Sequence, residues 1–241
     1  MRTRSVVLTL LILLAGCARS TASSEISLTV FAASSLGQAF PLIAPDATFQ
    51  FAGSDDLTLQ IREGAPADVF AGASPSYAAE LFEAGLAEPP RAFATNRMAL
   101  IAPRDNPAQI KTLDDLGDPG VRIVIGAPGV PAGDYARALL VRAGAEQALD
   151  RVVSEEESAQ GILGKIALGE ADAGFVYETD VVAARGSVIA IPLPAEIQPN
   201  IQYTLAVVTG SRHRAAAQRF VETVTGPAGR RILQEAGFGL P

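Results

Sequence analysis

The sequence predicts an α/β fold in which strands and helices alternate along the chain. Residues 51–73 show the repeating unit in full, because they contain a strand end, a tight turn, a short helix, a loop and an apolar strand. The same alternation starts again after the apolar run 96–103. About 225 residues remain once the first 16 are set aside, which is enough for one large or two modest α/β domains.

The first unit places two serines directly after a strand. Residues 26–32 are strand-like, Ser34 and Ser35 follow, and Leu36 and Phe40 then fall at helical spacing. This order predicts a strand, a serine turn and a helix.

The second unit repeats this arrangement with a sharper turn. After the strand end, Gly53 permits a tight turn and Ser54 stands where a helix N-cap is expected. Asp55 and Asp56 then occupy the first helical turn, where negative charge complements the helix dipole. Residues 69–73 form a short apolar run of the kind that a parallel sheet buries on both faces.

The remaining elements continue the alternation to the end of the chain. Helices are predicted from periodic apolar positions, and strands from short apolar runs. The predicted strands are 96–103, 121–126, 173–177, 188–191 and 201–208, and the predicted helices include Tyr77 and Leu81, 135–143, Ala159 to Ile166, Ala217 to Val224, and a last helix after Gly226-Pro227.

The first 16 residues are typical of a secretory signal peptide. Arg2 and Arg4 precede an apolar run, 6–14, that is too short to span a membrane comfortably. The run ends in Leu14-Ala15-Gly16-Cys17, which resembles the lipobox of bacterial lipoproteins. We therefore predict that the chain crosses the cytoplasmic membrane and stays anchored at its outer face.

Cys17 is the only cysteine, so no disulfide can form within the chain. We predict that Cys17 carries the lipid and that residues 17–25 form a short tether to the domain. The alternative is an incidental thiol in a discarded peptide. No second apolar run is long enough to span a bilayer, so the lipid is the expected membrane attachment.

The charge balance argues against nucleic acid as a partner. Without residues 1–16 the chain has 17 Lys plus Arg against 26 Asp plus Glu, a formal charge of −9. An acidic protein can still bind a small anion, because donors and dipoles at short range outweigh a diffuse, salt-screened surface charge.

Serines at helix starts suggest where such an anion would bind. Ser34, Ser35 and Ser54 each follow a strand, and the carboxyl edge of an open α/β sheet is where ligands bind. Free backbone N–H groups beside a serine hydroxyl form an uncharged cradle for an anion. Each serine taken alone is better explained as an ordinary helix cap, because serine is a good capping residue.

Five motifs together resemble the periplasmic molybdate-binding proteins of ABC importers. They are VFAASSL at 30–36, the Gly-Ser turn at 53–54, REGAPADVF at 62–70, PGVPAGDYA at 128–136 and GEADAGFVYETD at 169–180. The resemblance implies a class II periplasmic-binding-protein fold, with two doubly wound α/β lobes and a ligand cleft between them. It places lobe one at 26–98 and 205–241 and lobe two at 99–204, with the crossings at 96–103 and 201–208.

The resemblance also implies a binding site without a cofactor or a bare metal ion. Its ligand contacts are the hydroxyl and backbone donors of Ser35 and Ser54, the backbone N–H groups of Ala132 and Ala159, and the phenol of Tyr177. The implied ligand is molybdate or tungstate, with another tetrahedral oxyanion such as sulfate or phosphate as the alternative. The implied partner is the membrane permease of an ABC importer, and we expect a monomer.

Two positions depart from the commoner family pattern. Asp55 and Asp56 stand where small or hydroxyl residues are frequent, and Ala159 stands where a larger aliphatic residue is frequent. An inward Asp55 would repel a dianion or accept a proton from hydrogen phosphate. The alternative, which we favour, is that both aspartates face solvent and stabilise the helix start.

A secreted serine hydrolase is the main rival from another class. A Ser-His-Asp triad needs a base, but the only histidine, His213, lies in a predicted surface segment, and no Gly-x-Ser-x-Gly pattern surrounds Ser35 or Ser54. A metal site is weaker still, because no Cys or His cluster is present. A pair of anion-sensing lobes that signals to a membrane protein stays open.

Overall fold

The computed structural model describes residues 27–241, which form two five-stranded sheets with helices packed on them. The strands are β1 (Thr29–Ala33), β2 (Thr48–Ala52), β3 (Val69–Gly72), β4 (Arg91–Asn96), β5 (Met98–Pro103), β6 (Ile123–Gly126), β7 (Val152–Glu156), β8 (Ala173–Tyr177), β9 (Val188–Ile191) and β10 (Ile201–Val207). The helices are α1 (Phe40–Ile43), α2 (Ser54–Arg62), α3 (Pro75–Glu83), α4 (Pro131–Ala143), α5 (Ala159–Ala167), α6 (Glu178–Ala183), α7 (Arg214–Thr225) and α8 (Pro227–Glu235).

Each sheet is the centre of one lobe. The first has the order β2-β1-β3-β10-β4 and the second the order β7-β6-β8-β5-β9. In each sheet four strands run in the same direction, and the one strand that follows a crossing, β10 in the first sheet and β5 in the second, runs antiparallel to them. The α/β class and the two-lobe architecture predicted from the sequence are confirmed.

The first sheet is covered on both faces. Phe31 and Phe70 point to one face, where they pack with Leu57 and Leu81 of α2 and α3. Val30 and Ala32 point to the other face, into a core that continues through the contact between the lobes. Successive strand residues alternate between faces, so β1 and β3 must be apolar throughout.

The first crossing between the lobes lies within its predicted range, 96–103, but the second lies outside its predicted range, 201–208. The first falls at Arg97, between β4 of the first sheet and β5 of the second. β10 lies in the first sheet from Ile201 onward, since it pairs with β4 there, so the return crossing is 192–200 and not 201–208. Met98 consequently belongs with the second sheet and 201–204 with the first.

Two strands and one helix were not predicted. β4 and β7 are edge strands that pair with only one neighbour, so they bury little surface and lack an apolar run. β7 even carries Glu155 and Glu156. The short helix α6 follows β8 directly and has an acidic first turn.

The first predicted helix is divided in the structure. Ser34–Leu36 form one turn of 3₁₀-helix, and α1 begins only at Phe40. Leu36 and Phe40 are both buried, so the predicted inward face is retained despite the break.

No helix in the described range 27–241 is long and apolar enough to cross a membrane. The predicted signal peptide (1–16), the predicted lipid-anchor residue Cys17 and the whole of the predicted tether (17–25) lie outside the described residues.

Candidate functional site

A small cleft lies where the helix starts of the two lobes face each other. Its empty space, including the part open to solvent, is about 210 Å³. Its walls are Ala33–Ser35, Ala52–Ser54 and Ala73 from the first lobe, and Val130–Ala132, Ser158, Ala159 and Tyr177 from the second. All five residues predicted as ligand contacts line this one cleft, although their role in binding stays a prediction.

Ser54 is the first residue of α2 and is fully buried. The N-cap is Gly53, so the predicted capping role of Ser54 is wrong. Its Oγ instead accepts a hydrogen bond from the backbone N–H of Ala73, at 3.0 Å. Because a backbone N–H can only donate, the hydroxyl proton of Ser54 is left for another acceptor.

Ser35 lies in the 3₁₀ turn after β1, and its side chain is also buried. It caps no helix, because its Oγ contacts the phenol oxygen of Tyr203 at 2.8 Å. Ser35 and Ser54 therefore each have a partner distant in sequence within the first lobe.

The second lobe presents backbone donors from two helix starts. In α4, Pro131 has no N–H, and Gly133 and Asp134 donate to the carbonyl of Val130. Ala132 therefore carries the free N–H of this turn. In α5, Gly161 donates to Oγ of the N-cap Ser158, while Ala159, as the first helical residue, has no partner within the helix.

Tyr177 ends β8 with its hydroxyl against the cleft. The side chain is buried, and the hydroxyl has no hydrogen-bond partner among the described residues. Burial raises the pKa of the Tyr177 phenol well above its usual value, so the group is a neutral donor at physiological pH. A buried polar group without a partner is costly, which favours a ligand there.

The two aspartates after Ser54 behave differently. Asp56 is exposed, as predicted, but Asp55 is half-buried, and its Oδ1 has no partner among the described residues. Desolvation raises the pKa of Asp55, and the charges of Asp56 and Asp134 add to the effect. Asp55 does not line the cleft, and it is not fully exposed to solvent either. Its position therefore matches neither of the two alternatives considered from the sequence.

The structure separates the only histidine from the cleft. His213 Nδ1 lies 3.4 Å from Asp68 Oδ2, and Ser211 Oγ donates to Asp68 Oδ1 at 2.6 Å. Asp68 precedes β3, whereas the cleft lies at the carboxyl ends of the strands. His213, predicted to be a surface residue, is half-buried. Its side chain and that of Ser211 both contact Asp68, and Ser211 Oγ also accepts from the backbone N–H of His213 at 3.0 Å.

His213 is thus not placed to act as a base for Ser35 or Ser54, the two serines considered as nucleophiles. Within residues 27–241, no group of three or more His, Cys, Asp or Glu side chains is placed to hold a metal ion. The cleft wall also contains no lysine or arginine. The arrangement can thus bind an anion through neutral donors.

The family model for bacterial extracellular solute-binding proteins matches residues 28–239. The chain belongs to this family. This solute-binding protein is 38% identical over 225 residues to a Mycobacterium tuberculosis (strain ATCC 25618 / H37Rv) protein named molybdate-binding protein ModA, covering 89% of this chain and 85% of the relative.

Two further similarities extend over nearly the same range. A protein of Escherichia coli (strain K12), also named molybdate-binding protein ModA, is 32% identical over 233 residues and covers 90% of each chain. The solved structure of the Azotobacter vinelandii periplasmic molybdate-binding protein superposes with a TM-score of 0.79, at 23% identity, and covers 89% of the solute-binding protein and all of that chain. At this identity the superposition shows the fold alone.

Three residues next to the cleft were missed by the sequence interpretation. Tyr203 and Asn96 contact each other behind Ser35, at 3.3 Å. Asp180 accepts hydrogen bonds from the backbone N–H of Tyr177 and from the side chain of Gln160, both at 3.0 Å. Asp180 stands in the motif GEADAGFVYETD, so its position in that motif was the only available signal.

Proposed function

We propose that this protein captures molybdate or tungstate outside the cytoplasmic membrane and delivers it to the permease of an ABC importer. The observation that carries the proposal is the convergence of five neutral donors, Ser35, Ser54, Ala132, Ala159 and Tyr177, on one small cleft between two lobes. Relatives named molybdate-binding proteins at 38% and 32% identity support the same ligand.

The donor set suits a fully deprotonated tetrahedral oxyanion. Such a ligand has only acceptor oxygens, and each donor described above has a proton free for the cleft. Neutral donors also permit reversible release, which a transport cycle requires. Discrimination against the smaller sulfate would then depend on cavity size rather than on charge.

Isothermal titration calorimetry tests the ligand directly. Residues 18–241, which contain every helix and strand described above, are titrated with sodium molybdate, tungstate, sulfate and inorganic phosphate. We expect tight binding of molybdate and tungstate and much weaker binding of the other two. Preference for sulfate or phosphate would replace the proposed ligand, and absence of any oxyanion binding would overturn the function.

We also propose that a lipid on Cys17 holds the protein at the outer face of the membrane. The support is the lipobox-like run Leu14-Ala15-Gly16-Cys17. The Cys17→Ser variant should move from the membrane fraction to the soluble extracytoplasmic fraction and retain anion binding. A wild-type protein that is found soluble, cleaved at another site, would contradict the anchor.

The transport role is distinguishable from a sensory one. Two lobes that close on an anion can equally signal to a membrane protein, so the partner decides between these roles. Co-purification of the membrane-anchored protein with a permease supports transport, whereas co-purification with a signalling receptor would overturn it.

A further inference from the structure

A buried chain of hydrogen bonds runs from the crossing between the lobes to the cleft. Asn96, the last residue of β4, contacts Tyr203 of β10, which contacts Ser35. The side-chain amide of Asn96 also lies 2.9 Å from Thr179 Oγ1 in α6. All four residues are at least nine-tenths buried.

The orientation of the Asn96 amide follows from its backbone neighbour. The N–H of Arg97 donates to Asn96 Oδ1 at 2.9 Å, and a backbone N–H can only donate. The oxygen of the amide must therefore face Arg97, and the nitrogen must face Tyr203 and Thr179. Asn96 Nδ2 has two protons, and it donates one to Tyr203 Oη at 3.3 Å and one to Thr179 Oγ1 at 2.9 Å.

The direction of the next bond follows in the same way. Tyr203 Oη already accepts from Asn96, so its single proton goes to the remaining partner, Ser35 Oγ, at 2.8 Å. Burial raises the pKa of Tyr203 well above its usual value, so the phenol keeps that proton. Ser35 Oγ accepts from Tyr203 and directs its own proton to the cleft.

We propose that Asn96 and Tyr203 are positioning residues that make Ser35 a hydrogen-bond donor toward the bound oxyanion. The inference rests on the proposed function and deepens it. Because Ser35 then directs its proton to the ligand while Tyr203 occupies a lone pair of its Oγ, the cleft accepts a fully deprotonated anion and disfavours one that carries a proton, such as hydrogen phosphate. Tyr203 and Asn96, which lie behind the cleft wall, thus decide the selectivity between fully deprotonated and protonated oxyanions.

The Asn96→Asp variant should reverse the direction of the hydrogen bonds between residue 96, Tyr203 and Ser35 with almost no change in side-chain shape. A carboxylate at this position accepts the Tyr203 proton, Tyr203 then accepts from Ser35, and a lone pair of Ser35 faces the ligand. We expect molybdate affinity to fall by about a hundredfold or more. At pH 8 molybdate and phosphate are both largely dianions, so the added charge of the aspartate weakens the binding of both similarly. The ratio of the two affinities therefore reports whether Ser35 presents its proton or a lone pair to the ligand. We expect that ratio to move toward phosphate by about tenfold or more.

Two further variants separate positioning from mere packing. Tyr203→Phe removes the donor to Ser35 and should weaken molybdate binding about three- to tenfold without favouring phosphate. In the Tyr203→Phe background, Asn96→Asp should no longer change the ratio of molybdate to phosphate affinity, because the phenol hydroxyl that links residue 96 to Ser35 is absent. Thr179→Val is the matched control: it removes the other partner of the same amide, so the ratio should stay within about twofold of wild type.

The outcomes separate the two proposals. A wild-type protein that binds molybdate, with an unchanged ratio in Asn96→Asp, overturns the positioning role alone. A wild-type protein that binds none of the oxyanions overturns both. If circular dichroism shows Asn96→Asp to be unfolded, Tyr203→Phe decides, and molybdate affinity within twofold of wild type there overturns the inference.

Discussion

Ser54 combines two duties in one hydroxyl group. Its oxygen accepts from Ala73 and so joins the start of α2 to the end of β3, while its proton remains for the cleft. The bond from Ala73 occupies one lone pair of the hydroxyl oxygen, which favours the proton as the part that meets the ligand. A residue predicted as a cap thus acts, in the proposed site, as an oriented donor.

Ser54→Ala should weaken molybdate binding by about 1.5–3 kcal/mol, the range for a hydrogen bond to a charged group. Ser54→Asp should nearly abolish binding, because a carboxylate would face a dianion. Calorimetry measures both. Thr58→Val is the control, since Thr58 is buried in the same helix and its hydroxyl only donates to the Ser54 carbonyl. Wild-type affinity in both Ser54 variants would place the site elsewhere.

Asp55 lies beside the cleft without lining it, so its charge should have a small effect on binding. We expect Asp55→Asn to change molybdate affinity by less than about 1 kcal/mol, as for a charge at a helix terminus. Affinity in wild type should be nearly constant from pH 6 to 8 as far as Asp55 is concerned. A steep loss over this range that Asp55→Asn reverses would show that the carboxylate faces the ligand.

The raised pKa of Asp55 also predicts the sign of a stability effect. A carboxyl whose pKa is higher in the folded than in the unfolded chain costs no stability at low pH, and the cost appears as pH rises through the folded value. Asp55→Asn should therefore be more stable than wild type at pH 7 and equal to it at acidic pH. Urea denaturation at both pH values checks this, with the exposed Asp56→Asn as the control.

At the scale of elements, α5, β8 and α6 meet at one buried carboxylate. Asp180 in the first turn of α6 accepts from the Tyr177 N–H at the end of β8 and from Gln160 in the first turn of α5. These elements supply two of the proposed ligand contacts, Tyr177 and Ala159. Asp180 thereby holds these two of the three second-lobe donors in register without lining the cleft.

Burial raises the pKa of Asp180 to about 7, so stability should depend on pH near neutrality. The folded value exceeds the unfolded one, so stability is greatest at acidic pH and falls as pH rises toward and through about 7. Asp180→Asn should flatten this profile and increase stability at pH 8 by up to about 4 kcal/mol, since one pKa unit corresponds to about 1.36 kcal/mol. The Gln160 amide can turn to pair with the new amide, so the bonds are retained.

Urea denaturation of wild type and Asp180→Asn between pH 5 and 8 measures the effect. Asp172→Asn is the comparison, because the Arg122 ion pair and hydrogen bonds lower the pKa of Asp172 against its desolvation. Removal of that charge should destabilise the protein at pH 8. A flat profile for wild-type protein over this range would contradict the role of Asp180.

On the scale of the whole molecule, the lobes touch at the edge of the cleft. The Tyr77 hydroxyl of α3 donates to the Gly129 carbonyl in the second lobe. Gly53 faces the carbonyl of Glu157 so closely that a Cβ would overlap with it. Glycine is therefore required at 53 for the lobes to meet in this arrangement.

Gly53→Ala should hold the lobes apart and weaken molybdate binding by at least about 1.4 kcal/mol, or tenfold. Calorimetry measures the affinity, and small-angle scattering in the presence of molybdate should give a larger radius of gyration than for wild type. Gly164→Ala in α5 is the control, because its Cβ would meet no atom within 4 Å. Full affinity and unchanged compaction in Gly53→Ala would show that closure does not need this contact.

Most elements were predictable because their signals are local. The inward face of α5, with Ala159, Ile162, Leu163 and Ile166, follows from a period that is visible within about two helical turns of sequence, and all four residues are buried. Edge strands such as β7 have a weaker local signal, since half of their residues face solvent. The lobe boundaries near 97 and 192–200 depend on which strands pair, and that is not a local property.

The sequence by itself determined the α/β class, the order of most elements and which residue types stand at the helix starts, since periodicity and turn chemistry act within a few residues. The tertiary structure alone decided that these starts meet at one cleft and how its serines point. Ser35 and Tyr203 are 168 positions apart, and Ser54 and Ala73 are 19 apart. A hydroxyl can donate or accept with equal ease, so its direction depends on partners that only folding brings within hydrogen-bond distance.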